Sequence, residues 1–387
     1  MRRCEMRKEL ELYIHIPFCV RKCAYCDFLS GPATDEAIER YVEKLIQEIK
    51  AHGQMQRDKI VTTIFFGGGT PSILKGNQMQ RIMLTIREAF EIDEDAEISM
   101  EANPGTVTRE KLLAYREAGI NRISFGLQST NNEELSLLGR IHTFEEFLES
   151  YHLAREFGFD NINVDLISAI PKQTLESWKQ SVETVIALKP EHISAYSLII
   201  EAGTPFAAQY GEGTEGEDLL PTEEEEREMY HCTEQMLKEA GYHRYEISNY
   251  AKAGKECKHN LGYWERKNYL GIGLGASSLM DHVRYKKPDS METYLQSADD
   301  LEVIQEEKEQ LSLTEQMEEF IFLGLRKMEG ISIKKFEECF EKDIESCYGE
   351  NLNRMKEAGL LVEENGKLRL TERGIDISNY VFAEILG

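Results

Sequence analysis

The chain has 387 residues, of which 41% are hydrophobic and 30% are charged, so it is long enough for more than one packed domain. Its 70 acidic residues outnumber the 45 Lys and Arg residues and give a net charge of −25. This excess argues against a protein that binds nucleic acid or an anionic membrane through positive charge. The apolar runs are too short for a membrane span, and the first ten residues lack the apolar core of a signal peptide, so we expect a cytoplasmic protein.

Over the first two hundred residues, strand-like segments alternate with amphipathic helical segments, as in a parallel sheet built from βα units. The predicted strands are 11–16, 61–66, 97–101, 122–127, 161–167 and 192–199. The helices predicted between them are 35–51, 77–90, 108–118, 143–157 and 175–188. Six units are fewer than a closed eight-fold barrel has, so we predict an α/β fold with an open (β/α)6 partial barrel over residues 1–220.

The pattern changes after the sixth unit. Residues 223–240 predict a helix with an acidic first turn, and strand-like pieces at 243–249 and 269–278 indicate that residues 221–305 form a β-rich extension of the sheet. Residues 306–387 predict helices at 314–327, 333–339 and 344–358, then a hairpin at 360–370 that turns at Asn365-Gly366, which together resemble a winged helix. Residues 301–387 contain 11 Lys and Arg against 20 Asp and Glu, so we expect this module to pack against the barrel or a protein rather than DNA.

Three of the eight cysteines, Cys19, Cys23 and Cys26, lie within eight residues directly after the first predicted strand. Thiolates at such short spacing select zinc or an iron–sulfur cluster. A zinc site requires a fourth ligand, for which the sequence offers only His15 on the preceding strand and the more distant Cys4. Three cysteines would leave one iron of a [4Fe–4S] cluster open for chemistry. We therefore predict such a cluster, and a structural zinc site is the alternative.

Polar features also follow the next four predicted strands. A Gly-Gly-Gly-Thr-Pro segment occupies 67–71 after the second strand, Glu101 ends the third, Gln128 ends the fourth, and Asp165 lies in the fifth. The carboxyl ends of parallel strands converge on one mouth of a barrel, where the chemistry of such folds is located. The sequence therefore predicts that these residues and the three cysteines form one site.

In this order, the motifs resemble those of the radical S-adenosylmethionine (SAM) superfamily, in its coproporphyrinogen dehydrogenase branch. The matching segments are Tyr13-Ile-His-Ile-Pro-Phe-Cys19, Cys23-Ala-Tyr-Cys26, Gly67-Gly-Gly-Thr-Pro-Ser72, Glu101-Ala-Asn-Pro104, Phe125-Gly-Leu-Gln-Ser129, Leu138-Gly-Arg140, Asn163-Val-Asp-Leu-Ile167 and Pro171-Lys-Gln-Thr174. The resemblance implies that the three cysteines bind a [4Fe–4S] cluster and that its open iron chelates the amino and carboxylate groups of SAM.

The same resemblance implies a set of SAM contacts. The matching positions are Tyr13, Tyr25, Gly68, Gly69, Thr70, Glu101, Gln128, Arg140 and Asp165. Glu101 would suit the ammonium group and Arg140 the carboxylate, while Asp165 would bind the ribose hydroxyls. The glycines would let the backbone approach SAM closely, with N–H and C=O groups serving the ligand. For any one of these residues alone, ordinary loop or core chemistry stays open as the alternative.

Two departures from the dehydrogenase pattern concern the cluster loop. Phe28 occupies the position two residues beyond the third cysteine, where the dehydrogenase has a fourth, and only 18 residues precede Cys19. In their place the chain has His259-Asn-Leu-Gly-Tyr-Trp264, which resembles the hallmark of the HemW haem-chaperone family. This resemblance implies that His259 is an axial haem ligand with aromatic rings beside it. The alternative is that the segment is a loop packed against the sheet.

The resemblance therefore implies a haem chaperone that binds haem, a [4Fe–4S] cluster and SAM, and that passes haem to acceptor proteins whose identity the sequence does not reveal. The alternative function is an oxygen-independent coproporphyrinogen III dehydrogenase, which decarboxylates two propionates through a 5′-deoxyadenosyl radical and which both departures disfavour. A third class is a SAM-binding module whose radical chemistry serves another substrate. We expect neither a nucleic-acid partner nor a transmembrane segment.

Overall fold

A computed structural model of the chain describes residues 8–297, 300–301 and 303–386, and Cys4 lies outside them. The strands are β1 Lys8–Ile16, β2 Lys59–Gly68, β3 Glu91–Ala102, β4 Arg122–Gln128, β5 Ile162–Ser168, β6 His192–Ser197, β7 His243–Arg244, β8 Asn249–Ala251, β9 Tyr269–Ile272, β10 Ser277–Met280, β11 Val283–Lys286, β12 Glu306–Gln310, β13 Ile331–Ser332, β14 Leu361–Glu364 and β15 Lys367–Leu370. The helices are α1 Asp35–Met55, α2 Gly76–Ala89, α3 Arg109–Ala118, α4 Asn132–Leu137, α5 Phe144–Glu156, α6 Leu175–Leu188, α7 Pro205–Tyr210, α8 Glu223–Glu239, α9 Lys258–Trp264, α10 Met291–Ser297, α11 Leu313–Gly324, α12 Ile333–Phe340, α13 Ile344–Glu357, α14 Glu372–Asp376 and α15 Ser378–Leu386.

Twelve strands form one open, mixed sheet in the order β12-β11-β10-β9-β1-β2-β3-β4-β5-β6-β8-β7. Strands β1 to β6 pair in parallel and in chain order. The outer strands of this parallel unit pair with the extension instead of each other, β1 with β9 in parallel and β6 with β8 antiparallel. The predicted open (β/α)6 partial barrel is therefore confirmed, and the extension lengthens the sheet at both edges.

Helices α1, α2, α3, α5 and α6 begin within one residue of the predicted starts, and all but α2 follow a threonine. Thr34, Thr108, Thr143 and Thr174 each accept a hydrogen bond from a backbone amide in the first turn of the following helix. Helices α4 and α7, with six residues each, were not predicted from the sequence. Helices this short carry too few turns to display an apolar periodicity.

The extension contains elements that the sequence analysis did not find. Strand β12 has the sequence EEKEQ and all five of its residues are exposed, so it lacks the apolar alternation that marks a strand. It nevertheless pairs with β11, which carries the large sheet to residue 310, five residues beyond the predicted boundary at 305. The segment 258–264, for which a loop was the alternative expectation, is the helix α9.

The C-terminal module has a core of its own, built around side chains such as Phe336 and Leu352. Helices α11, α12 and α13 lie where they were predicted, and β13, β15 and β14 form a second, three-stranded sheet. The hairpin turns at Asn365 and Gly366, whose φ angles of 54° and 73° suit the mirror-image turns of two-residue hairpins. None of the helices in the described part of the chain is long and apolar enough to cross a membrane.

Candidate functional site

A cavity of about 500 Å³ lies at the carboxyl ends of the parallel strands and reaches into the barrel interior. All of the site residues predicted from the sequence contribute to its wall. They are Tyr13, Cys19, Cys23, Tyr25, Cys26, Gly68, Gly69, Thr70, Glu101, Gln128, Arg140, Asp165 and His259. Features separated by up to 246 residues in sequence therefore meet in one place, because each follows or lies within a neighbouring element of the sheet.

The three cysteines after β1 line the mouth of this cavity. The sulfur of Cys19 accepts a hydrogen bond from Thr70 Oγ1 at 3.4 Å, and the sulfur of Cys23 accepts one from Arg140 Nη1 at 3.4 Å. In the described residues, no three or more His, Cys, Asp and Glu side chains are close enough together to hold a single metal ion. Three thiols with a guanidinium beside one of them fit an iron–sulfur cluster, which takes thiolate ligands.

The glycine segment, residues 67–69 at the end of β2, has no room for larger side chains. Gly68 has a φ of 109°, and a Cβ atom at Gly69 would lie 2.7 Å from the carbonyl oxygen of Phe18. The amides of this segment pair within the protein, since Gly68 donates to Glu101 Oε2 at 3.1 Å, Gly69 to a β1 carbonyl at 2.9 Å and Thr70 to the carbonyl of Phe18 at 2.8 Å. The N–H groups of this segment therefore have partners within the protein in this structure.

Two carboxyl groups line the cavity, Glu101 near the end of β3 and Asp165 in the middle of β5, with β4 between these strands. Burial, followed by the charge of Asp165, raises the pKa of Glu101 to about 8. Burial also raises the pKa of Asp165, whose oxygens accept hydrogen bonds from Ser124 Oγ at 3.0 Å and Asn163 Nδ2 at 2.7 Å. A cationic ligand would favour the charged form of both groups, so the pair suits an ammonium or sulfonium compound.

Arg140 is held at the cavity wall by a residue to which the sequence analysis gave no role. Its Nη2 donates to Asn103 Oδ1 at 2.7 Å and to the carbonyl of Gly126 at 2.6 Å, while Asn103 Nδ2 donates to Thr70 Oγ1 at 2.8 Å. Asn103 therefore orients both Arg140 and the glycine segment. Its sequence signal was its position two residues after Glu101. The Nε of Arg140 is buried without a partner, as expected of a group that awaits an anionic ligand.

The remaining predicted SAM contacts line the wall with aromatic and amide groups. The hydroxyl of Tyr13 shares a hydrogen bond of 3.0 Å with His15 Nδ1. The ring of Tyr25 meets that of Phe206 edge to face, with centroids 6.3 Å apart. Gln128 ends β4 with a φ of 76°, a conformation that few residues other than glycine adopt. These contacts leave an apolar and amide-bearing surface next to the cluster loop.

His259 lies on α9 at the deep end of the cavity, and only 1% of it is exposed. Its Nδ1 shares a hydrogen bond of 2.6 Å with Thr63 Oγ1, its Nε2 shares one of 3.0 Å with the hydroxyl of Tyr263, and its ring stacks on Phe65 with centroids 5.1 Å apart. Burial lowers the pKa of His259 to about 3, so the imidazole is neutral. Both ring nitrogens have protein partners, an arrangement that matches the packing alternative.

The aromatic residues of the same motif point to different places. Tyr263 lines the cavity beside His259. Trp264 is not among the cavity residues; the guanidinium of Arg326, from the C-terminal module, lies 4.7 Å from its ring centre. The motif therefore contributes one aromatic ring to the cavity and another to the contact between the barrel and the C-terminal module.

Comparison with known proteins agrees with this geometry. Residues 13–185 match the radical SAM superfamily, and residues 311–377 match the HemN C-terminal domain. The chain is 38% identical to the heme chaperone HemW of Lactococcus lactis over 98% of both chains. It is 37% identical to heme chaperone HemW of Bacillus subtilis over 97% of this chain and 98% of that protein.

The fold also matches a solved structure, that of coproporphyrinogen III oxidase (HemN) from Escherichia coli. The TM-score is 0.85 over 98% of this chain and 90% of that chain, at 24% identity, which shows a shared fold. The identity to the HemW proteins, 37–38% over nearly the full length, is higher than the 24% identity to HemN. The chain therefore falls in the HemW branch and not in the dehydrogenase branch. The chain belongs to the HemW family of heme chaperones, within the radical SAM superfamily.

Proposed function

We propose that this protein is a haem chaperone of the cytoplasm that carries a [4Fe–4S] cluster and SAM in the barrel cavity, binds haem and delivers it to an acceptor protein. One observation carries the proposal. Three thiols, the glycine segment and three charged anchors line a single cavity in a chain that is 38% identical to a haem chaperone over 98% of its length. Phe28, in place of a fourth cysteine, is 63% exposed at the mouth of this cavity.

In this proposal each group in the cavity has a defined role. The three cysteines hold the cluster. When the cluster is present and reduced, it supplies an electron to SAM. Glu101 pairs with the ammonium group of SAM, Arg140 pairs with its carboxylate, and Asp165 accepts from the ribose hydroxyls. Asn103 is a positioning residue, because it keeps Arg140 and Thr70 in place.

His259 is the proposed axial ligand of haem. Ligation through Nε2 requires that this nitrogen gives up its hydrogen bond with Tyr263, while Nδ1 stays bonded to Thr63. A partner on the second nitrogen is the usual arrangement for a metal-bound histidine, because it orients the ring and fixes its tautomer. The neutral imidazole that burial maintains is the form that binds iron.

Anaerobic purification followed by iron, sulfide and haem quantification tests the proposal. We expect about four iron and four sulfide ions per chain after reconstitution. Added haem should give a Soret band. When this complex is mixed with an apo-haem protein, the haem should transfer to that acceptor, as its Soret band shows. Formation of protoporphyrinogen from coproporphyrinogen III and SAM at enzymatic turnover rates would instead establish the dehydrogenase. Cleavage of SAM without stoichiometric haem binding would establish a module that acts on another substrate.

A further inference from the structure

The deep end of the cavity contains a buried guanidinium whose donors are largely unused. Arg122 begins β4, lines the cavity and is 2% exposed. Of its five N–H donors, one reaches Ser99 Oγ at 3.5 Å, and Nε has no hydrogen-bond partner. No carboxylate in the described part of the chain forms an ion pair with it at 4.0 Å or less.

The acids near Arg122 are engaged elsewhere. The carboxyl of Glu97 accepts from the sulfur of Cys257 at 3.4 Å and from the amides at the start of α9, at 3.1 and 3.4 Å. The carboxyl of Asp165 accepts from two side chains on β4 and β5. Both charges attract Arg122, but neither contacts it. A guanidinium on a cavity wall with an unpaired Nε and no direct ion pair has the donors to bind an anionic ligand, so its presence there points to one.

Arg122, at the start of β4, lies deeper in the barrel than Arg140, although its charge acts on Glu101 and Asp165, two of the proposed SAM contacts. Arg140 lies beside Cys23 and donates to the carbonyl of Gly126, near the carboxyl end of β4. Arg122 precedes Gly126 by four residues on the same strand, which places its Cα atom roughly 13 Å deeper along β4. Its charge acts on His259, so the two side chains share the cavity floor. The cavity therefore has one guanidinium beside the cluster loop and another at its floor.

We propose that Arg122 is the receptor for a propionate carboxylate of the tetrapyrrole cargo, an inference that rests on the proposed function. The planar fork of a guanidinium binds a carboxylate through two parallel hydrogen bonds, and haem carries two propionates. One propionate on Arg122 would orient the macrocycle at the floor of the cavity. The carboxylate of SAM is the other source of the same chemistry, and the experiment separates the two.

The test compares haem with haem dimethyl ester, which lacks the carboxylates, in titrations followed at the Soret band. The unsubstituted protein should bind haem about 10- to 100-fold more tightly than the ester. Arg122→Gln should lose most of this preference. The matched control is Arg21→Gln, since Arg21 lines the mouth of the same cavity and donates only to the backbone carbonyls of Gly139 and Arg140. Loss of the preference in Arg21→Gln but not in Arg122→Gln would overturn the proposal.

A second part of the experiment compares S-adenosylhomocysteine, which carries the amino and carboxylate groups, with methylthioadenosine, which lacks both. Arg122→Gln should bind both as the unsubstituted protein does. A selective loss of affinity for S-adenosylhomocysteine would assign Arg122 to the SAM carboxylate and overturn the proposal.

Thermal unfolding without ligand, together with the ester preference, distinguishes a receptor from a structural cation. The nearby acids Glu97 and Asp165 attract the charge of Arg122, so Arg122→Gln should lower the Tm and also lose the ester preference. A lower Tm with the ester preference intact would show that Arg122 only balances nearby acids. Should Arg122→Gln fail to fold, Arg122→Lys keeps the charge without the fork and should lose part of the preference.

Coproporphyrin III and its tetramethyl ester repeat the comparison without iron, followed by porphyrin fluorescence. Failure to bind haem together with a preference for coproporphyrin III that depends on Arg122 would refute the haem-chaperone function and support the carboxylate receptor. Absence of binding to both tetrapyrroles would overturn the receptor as well.

Discussion

Replacement of His259 tests whether this ring packs the barrel floor, binds haem, or does both. His259→Ala removes two buried hydrogen bonds, each worth about 1 kcal/mol, and a ring stacked on Phe65. It also leaves the hydroxyls of Thr63 and Tyr263 without their hydrogen-bond partner in the buried part of the barrel. The lost hydrogen bonds and the space left by the ring should together lower the free energy of unfolding by about 2–4 kcal/mol.

Tyr263→Phe is the matched variant, because it removes the hydroxyl that occupies Nε2 and leaves the imidazole in place. It should lower the free energy of unfolding by about 1 kcal/mol. If Nε2 is the haem ligand, the same change should strengthen haem binding by up to about fivefold, because ligation no longer breaks this hydrogen bond. His259→Ala should then lose the Soret band of the complex while it retains cluster absorbance and SAM affinity.

Denaturant unfolding gives the stability of each variant, and haem titration of the folded protein gives its affinity. A folded His259→Ala variant that binds haem with the unsubstituted spectrum and affinity would refute the ligand role. A loss of less than about 0.5 kcal/mol in His259→Ala would refute the packing energetics worked out from these contacts.

Three further predictions concern the cysteines, the SAM anchors and the buried Glu11. Replacing any one of the three cluster cysteines by Ala should abolish cluster absorbance, and a triple variant that assembles the same cluster would disprove the assignment. Glu101→Ala should weaken SAM about 10- to 100-fold in calorimetry of cluster-loaded protein, and unchanged affinity in the Ala variants of Glu101, Arg140 and Asp165 would move the site. Glu11 is buried without a hydrogen-bond partner, and burial raises its pKa from 4.5 to about 9. Because the folded state favours the protonated form, stability is lost as pH rises from 4.5 through about 9. Glu11→Gln should therefore raise the Tm at high pH by an amount that shrinks toward pH 4.5, whereas a gap independent of pH would contradict this reasoning.

Local sequence patterns are sufficient to predict much of the fold. Strands β1 to β6 and the longer barrel helices were located because apolar periodicity and hydroxyl caps occupy contiguous residues. The same holds for the hairpin at Asn365 and Gly366, whose turn chemistry is local. Strand β12 could not be predicted in this way, because a charged edge strand is recognised by its pairing with β11 and not by its own residues.

For the site as well, some features could be predicted from the sequence and others depend on the tertiary structure. The strand-end positions predicted that the cysteines, the glycine segment, Glu101, Gln128 and Asp165 meet, because parallel strands bring their carboxyl ends together. The family resemblance added Tyr13, Tyr25, Arg140 and His259, and these four residues also line the cavity. Which atoms are free in that cavity depends on partners far apart in sequence. Thr63 and His259 are separated by 196 residues, and their hydrogen bond is decided by how α9 packs on β2. The unpaired guanidinium of Arg122 likewise emerges only from the tertiary structure, because pairing is a property of the space around a side chain and not of its neighbours along the chain.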